Sequence, residues 1–247
     1  MVMQESPNHG VLSRFRQGRI GVMADIQAMF YQVFVPEHQR SLLRFLWWKD
    51  NDLTTTPIDY EMNVHVFGAG SSASCSSYAL RRTAIDNQED FPDKIRNILF
   101  NNFYVDDMLK SEDDEQETIE MIQGVKSLCK RGGLNLVKFV TNSQTVLNSL
   151  PKEDLGSSLK DASLLGGLTD KALGVSWNLS DDVFKFDLTE AKQKPLTRRG
   201  MLSMISSIYD PLGLISPFIL KGRLILQTLC KMQHGWDDQI PEDIATD

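Results

Sequence analysis

Two adjacent carboxylates, Asp106 and Asp107, end the segment Phe103-Tyr104-Val105-Asp106-Asp107 just after the apolar run Ile98-Leu99-Phe100. At the tip of a buried hairpin such a pair is costly unless a cation sits between or beside the two groups. Magnesium suits that place, being hard, oxygen-seeking and often held by one or two carboxylates plus substrate phosphates. A further carboxylate stands upstream. Gly21-Val22-Met23-Ala24-Asp25 reads as a small apolar strand ending at an aspartate, and Ile26-Gln27-Ala28-Met29-Phe30 as a turn into a helix. Two strands could bring Asp25 and Asp106 to one edge of a sheet. Between them, Phe67-Gly68-Ala69-Gly70-Ser71-Ser72-Ala73 forms a glycine-rich bend opening a helix through Tyr78-Ala79-Leu80-Arg81-Arg82. A bend of that kind lets backbone approach a nucleotide closely. Singly, these residues have plainer readings. Asp25 also fits a helix N-cap, Phe30 an ordinary core aromatic, and Lys138 a sheet-edge lysine.

The order of the pieces is more specific than any one of them. Aspartate strand, glycine bend with helix, then Asp-Asp hairpin is the order of a polymerase palm, and Phe103 to Asp107 resembles the Tyr-x-Asp-Asp signature of reverse transcriptases. Val11-Leu12-Ser13-Arg14-Phe15-Arg16, Arg44-Phe45-Leu46-Trp47-Trp48 and Val64-His65-Val66-Phe67-Gly68-Ala69 occur in sequence with them. Downstream come Leu173-Gly174-Val175-Ser176-Trp177 and Ile208-Tyr209-Asp210-Pro211-Leu212-Gly213. Together they look like the reverse transcriptase of BEL/Pao long-terminal-repeat retrotransposons, over about residues 11 to 235. One departure is Ala73, where that family usually has proline.

The resemblance implies an α+β polymerase palm, an antiparallel sheet with helices packed on one face, followed by a helical thumb-like segment. It implies RNA-directed DNA synthesis with two Mg2+ ions, for which Mn2+ can substitute. Asp25 and Asp106 would hold both ions, the backbone carbonyl of Ile26 would assist, and Asp107 would contribute more weakly. Phe30 would crowd the sugar 2′ position. Phe67, Gly68 and Lys138 would border the nucleotide, with Lys138 near the leaving pyrophosphate. Leu173, Gly174 and Trp177 would grip the primer terminus, the alternative being a strand buried for stability. The implied partners are an RNA or DNA template with its primer, deoxynucleoside triphosphates, and RNase H and integrase domains of the same polyprotein, without a membrane. The implied location is cytoplasmic, associated with virus-like particles, with access to the nucleus. Only Met1 to Ala24 precede Asp25, so the fingers of such an enzyme are expected to be mostly missing, and residues 1–247 alone are expected to polymerise poorly or not at all. A domesticated or catalytically deficient palm serving as a binding or assembly module is the alternative. A metal-dependent hydrolase with a chance Asp-Asp pair is a more distant one.

The elements that must position these residues follow from composition and punctuation. A chain of 247 residues, 41% hydrophobic, can bury one large core or two small ones. No apolar run approaches the roughly 20 residues needed to span a bilayer, and nothing resembles a signal peptide. Cys75, Cys129 and Cys230 are odd in number and far apart, which argues for a reducing compartment and against a zinc knuckle. His9, His38, His65 and His234 show no metal-ligand spacing. The net charge of −7 is unusual for a nucleic-acid binder, but the acids concentrate in 106–120 and 237–247, leaving room for a locally basic groove.

Ser111 is expected to begin a helix with Glu112, Asp113 and Asp114 in its first turn, Ile119, Ile122 and Cys129 on its apolar face, and Gly132-Gly133 as its stop. Leu134, Leu136 and Lys138 then alternate as a strand returning beside the Asp-Asp hairpin. Residues 141–170 read as an irregular connection. Val175, Trp177 and Leu179, a Ser180-Asp181-Asp182 turn, and Phe184, Phe186 and Leu188 read as a hairpin. After Pro195 the pattern is helical. Met201, Met204, Ile205 and Ile208 form one stripe, and Leu220, Leu224, Ile225, Leu229 and Met232 another. The expected division is a flexible stretch at 1–10, a palm with residual fingers at 11–190, and helical thumb-like residues at 191–247.

Overall fold

Residues 7–156, 159, 169–186, 194–241 and 244 are described by the computed structural model. The fold is mixed α+β, with antiparallel sheets and packed helices. Its organising strand is β1 (Ile20–Ile26), where every side chain is buried except that of Asp25. A continuous apolar run of that length suits a strand with a neighbour on each side. β1 pairs antiparallel with β5 (Asp107–Glu112) on one flank and with β6 (Leu136–Thr141) on the other. The short β4 (Phe103–Tyr104) completes the order β4-β5-β1-β6.

Side-chain alternation sorts the faces. Ile20, Val22, Ala24 and Ile26 point into the main core with Met108, Leu136 and Phe139. Leu80 and Ala84 of α2 (Ser72–Asp86), Ile98 and Leu99 of α3 (Asp93–Asn101), and Met121, Ile122, Val125 and Leu128 of α4 (Glu115–Arg131) fill the same core. These helices pack on one another, and α4 contacts β5 and β6. Met23, Asp25, Asp107 and Leu109 therefore share the face that looks away from that core.

Several expectations shift. Ser111 and Glu112 close β5 opposite Gly21 and Ile20, and α4 starts later, capped by Asp114, whose carboxylate accepts from the backbone N–H groups of Gln116 and Glu117. The ladder to β1 outcompetes the local helix signal, and buried Ser111 accepts a hydrogen bond from the Gly18 N–H at 2.8 Å. The rest of that helix follows expectation: Ile122 and Cys129 are buried, Ile119 packs against the core, and Gly132 is the C-cap. The returning strand β6 lies beside β1, not beside the hairpin. The helix expected after Asp25 is a single 3-10 turn, Met29–Gln32, entered through Ala28 at φ 49°. Residues 141–156 are more regular than expected, with α5 (Gln144–Ser149) capped by Ser143. Pro7 to Gly10, expected to be flexible, belong to α1 (Pro7–Phe15).

The chain divides into two compact units, residues 14–160 and residues 1–13 with 161–247. The main core and a small hairpin, β2 (Arg44–Trp47) with β3 (Ile58–Glu61), lie in the first. The second contains a three-stranded sheet, β7 (Thr169–Ala172), β8 (Val175–Asn178) and β9 (Val183–Lys185), and the helices α6 (Arg198–Ser207) and α7 (Ser216–Lys231). The sheet of 169–185 thus groups with the carboxy-terminal helices. Leu188 of the expected hairpin lies outside the described residues. In α7, Ile219 and Leu229 are buried, whereas Leu220 and Leu224 of the expected stripe, and Met232 just past the helix end, are exposed. That helix is apolar around most of its circumference, so periodicity alone could not choose its buried side.

Candidate active site

The backbone register brings the carboxylates together. Asp25 stands directly opposite Asp107 across the β1–β5 ladder, and both lie on the sheet face turned away from the main core. Cross-strand partners have Cβ atoms about 4.5–5.5 Å apart, and like charges so placed repel. Asp106 is the second residue of a two-residue loop closing β4 onto β5, since Tyr104 pairs with Asp107. The first loop residue, Val105, has φ 55°, a conformation rare for a β-branched side chain. A positive φ there matches the twist of tight hairpin turns. Strain of about 1–3 kcal/mol at such a residue persists only where its surroundings hold it. They do: Val105 packs against the core, and the Asp106 carbonyl accepts a hydrogen bond from the Ile26 N–H at 2.9 Å.

The electrostatics follow this crowding. Burial pushes the Asp107 carboxyl up to about 6, with the charges of Asp106 and Asp25 adding to the rise and Lys138 opposing it. Burial also raises Asp106, assisted by Asp25 and opposed by a backbone hydrogen bond and Lys138. The counter-charge is Lys138, whose Nζ lies 3.1 Å from Asp25 Oδ1. Its position arises from a bulge: the β1–β6 register slips by one between Met23↔Val140 and Asp25↔Val137, so Lys138 and Phe139 together face Ala24. Lys138 takes φ 56°, the left-handed conformation that an extra residue in a bulge adopts. Sequence reasoning left Lys138 between two roles; its described contact is with Asp25.

Among the described residues no group of three or more His, Cys, Asp and Glu side chains forms a ready-made metal cage. The donors present still fit magnesium. It keeps several waters and takes one or two carboxylates beside phosphate oxygens, whereas an all-protein cage is typical of other ions. Three carboxylates sharing one strand end, two of them raised by burial and mutual repulsion, form a locus that gains from a divalent cation.

The proposed nucleotide-side residues also meet. The Phe30 and Phe67 rings lie 4.8 Å apart at 59°. Tyr31, not singled out in the sequence, stands edge-on to Phe67 at 6.1 Å. Phe67 is 66% exposed, so this aromatic group faces solvent. Gly68 has φ 86° with open space where a Cβ would lie, so its conformation and not crowding demands glycine. The bend is anchored from below by Ser72, whose hydroxyl donates to the Val66 carbonyl at 2.6 Å and lies 3.5 Å from His65 Nδ1. His65 is buried there, a structural use that its lack of metal-ligand spacing allowed.

In the second unit, Leu173 and Gly174 form the two-residue turn between β7 and β8, both at positive φ. A Cβ on Gly174 would come within 2.9 Å of the Tyr209 ring, a neighbour the sequence did not reveal. Beside this turn is a cleft of about 210 Å3 bordered by Lys171, Ser176, Lys185 and Tyr209. Trp177 is buried and donates its indole N–H to Asp182 at 3.0 Å.

Comparison with known proteins adds one match. Residues 197–247 match the family model described as Pao retrotransposon-like RNaseH-like domain. The match covers 51 of the 247 residues and supports a BEL/Pao retrotransposon origin. None of the curated proteins matches it. Among the described residues no helix is long and apolar enough to cross a membrane.

Proposed function

We propose that residues 14–160 are the palm of a BEL/Pao-type reverse transcriptase and catalyse RNA-directed DNA synthesis. The observation that carries this reading is the register that sets Asp25 opposite Asp107 with Asp106 at the adjoining turn. The Phe30–Phe67 pair on the bend before α2 supports it. Asp25, Asp106 and the Ile26 carbonyl would hold two magnesium ions, with Asp107 contributing more weakly. When bound, such ions lower the pKa of a primer hydroxyl and neutralise the triphosphate.

The chain's own residues supply the positioning, which carries most of the rate in phosphoryl transfer. The strained Val105 turn fixes Asp106, and the bulge directs Lys138 toward Asp25, where it holds positive charge beside the carboxylates. Phe30 would exclude a 2′-hydroxyl by bulk. The Lys171 and Lys185 cleft offers cations for a nucleic-acid backbone.

A nuclease is the second reading, favoured by the name of the family matched at 197–247. Two carboxylates there are already engaged: Asp210 accepts from the Leu214 and Ile215 N–H groups, and Asp237 pairs with Arg199. The deciding experiment measures extension of an oligo(dT) primer on poly(rA) with Mg2+, and in parallel the degradation of an RNA–DNA hybrid. The polymerase reading expects little or no extension by residues 1–247 alone, and extension that appears when a fingers segment is supplied at the amino terminus and disappears in Asp25→Asn. Hybrid degradation that survives that substitution, without extension, would replace it with the nuclease.

A further inference from the structure

The hairpin β2–β3 takes no part in the chemistry above, and its sequence places four aromatic residues around one open cavity. Phe45, Trp47, Trp48 and Tyr60 line a space of about 510 Å3, with Asp50 and Asn51 at its edge. Phe45 and Tyr60 are direct cross-strand partners and stack at 5.8 Å with an interplanar angle of 24°. Trp47, two residues along the same face, meets Trp48 edge-on at 5.7 Å. Phe45 and Trp47 remain 41% and 47% exposed, a poor use of large apolar rings unless something covers them.

The cavity is held in shape. The Trp47 indole N–H donates to Asn51 Oδ1 at 2.7 Å. That bond is made possible by two consecutive residues, Asp50 and Asn51, at φ 54° and 61°. Left-handed residues in succession are uncommon outside glycine, and here they set Asp50 in the lining of the cavity beside the rings. Asp50 has no ion-pair partner among the described residues.

We infer that this is an aromatic cage for a cationic side chain, and that its occupant is an arginine presented by a basic segment of a partner protein. Aromatic faces attract cations, arginine most often, and a planar guanidinium stacks on such rings while donating to a carboxylate. The chain uses the same chemistry internally, where the Arg198 guanidinium lies 4.0 Å over the Trp236 ring. Charge selects a cation over a nucleic-acid base. Acids outnumber bases across 37–61, and Arg40 and Arg44 turn toward the carbonyls of Val35 and Ser41. A phosphate backbone would meet the Asp50 carboxylate in the cavity lining, which the neighbouring Lys49 does not join. The inference is independent of the polymerase reading and survives its failure.

The test uses the full chain and a Gly-Ser nonapeptide carrying three arginines, followed by tryptophan fluorescence and calorimetry at low salt. The control peptide has citrulline at the same positions, which keeps the shape and removes the charge. The expected result is saturable binding of the arginine peptide, weakened about tenfold by Asp50→Asn and by Trp47→Ala, and at least as much by citrulline. Asp50 is exposed, so its variant serves even if Trp47→Ala disturbs the hairpin; circular dichroism checks both. Equal binding of the citrulline peptide, or no effect of Asp50→Asn, would overturn the proposal. So would binding of a single-stranded oligonucleotide that Trp47→Ala abolishes while the peptide fails to bind.

Discussion

At the scale of single residues, the site is a repulsive arrangement held in place by its surroundings. Asp106→Asn keeps the side-chain volume and removes one of the crowded charges. We expect primer extension to fall by a factor of at least about 10², while the melting temperature of the metal-free protein holds or rises. Extension within a few-fold of wild type would remove Asp106 from the site. Asp107 gives a pH signature. Its carboxyl sits near 6 in the folded protein against 3.8 as the ordinary value, so the folded state binds the proton more tightly. Its contribution to stability is fully present below about pH 4 and lost as pH rises through 6. Wild type and Asp107→Asn should therefore melt alike near pH 4, with the variant the more stable above pH 7. Scanning calorimetry across that range checks the sign, and added Mg2+ should close the gap from the wild-type side. Phe30→Ala tests the aromatic pair. If the ring excludes a 2′-hydroxyl, the ratio of kcat/KM for a deoxynucleotide to that for its ribonucleotide falls in the variant. An unchanged ratio in a folded variant makes Phe30 a packing residue for Phe67.

Among the elements, β1 was legible in the sequence as an apolar run ending in a carboxylate, and the turn at Asp106 and Asp107 as a hairpin tip, whereas the end of β5 read as a helix start. α4 was legible through its apolar face and its glycine stop, although the acids read as its first turn, Glu112 and Asp113, precede it. What was not legible depends on pairing. The bulge that turns Lys138 toward Asp25 exists only once β6 is registered on β1, and no local feature of Leu136-Val137-Lys138 announces it. Tyr31 meets Phe67 only because the segment after Asp25 tightens into a 3-10 turn. Ser111 reads as a cap until β1 claims it. The bulge carries its own test. At φ 56°, glycine is relieved of a left-handed penalty of about 1–2 kcal/mol that alanine retains. Lys138→Gly should thus be more stable than Lys138→Ala by about 1 kcal/mol in urea unfolding, the reverse of the usual order within a strand. The lost ion pair is common to both variants and cancels in the comparison. Equal stabilities would mean that the bulge relaxes to a regular ladder on substitution.

For the whole molecule, the division at 160/161 places the main core in one unit, between Ile20 and Val146. A fragment of residues 14–160 should consequently unfold in a single cooperative transition with far-ultraviolet dichroism of a mixed α+β protein. A fragment lacking that transition would show that the other residues are needed to complete the core. β1 also imposes a schedule. It is the first strand of the sheet to be made, yet both of its flanking strands come much later, β5 from Asp107 and β6 from Leu136. At ribosomal rates of about 5–20 residues per second, the roughly 80 residues between Asp25 and its first partner, Asp107, take on the order of 4 to 16 seconds to appear. Throughout that interval Ile20 to Ile26 is an unpaired apolar strand on a nascent chain, a feature that favours aggregation and chaperone capture. The same central placement that crowds the carboxylates makes the birth of this protein its most vulnerable moment.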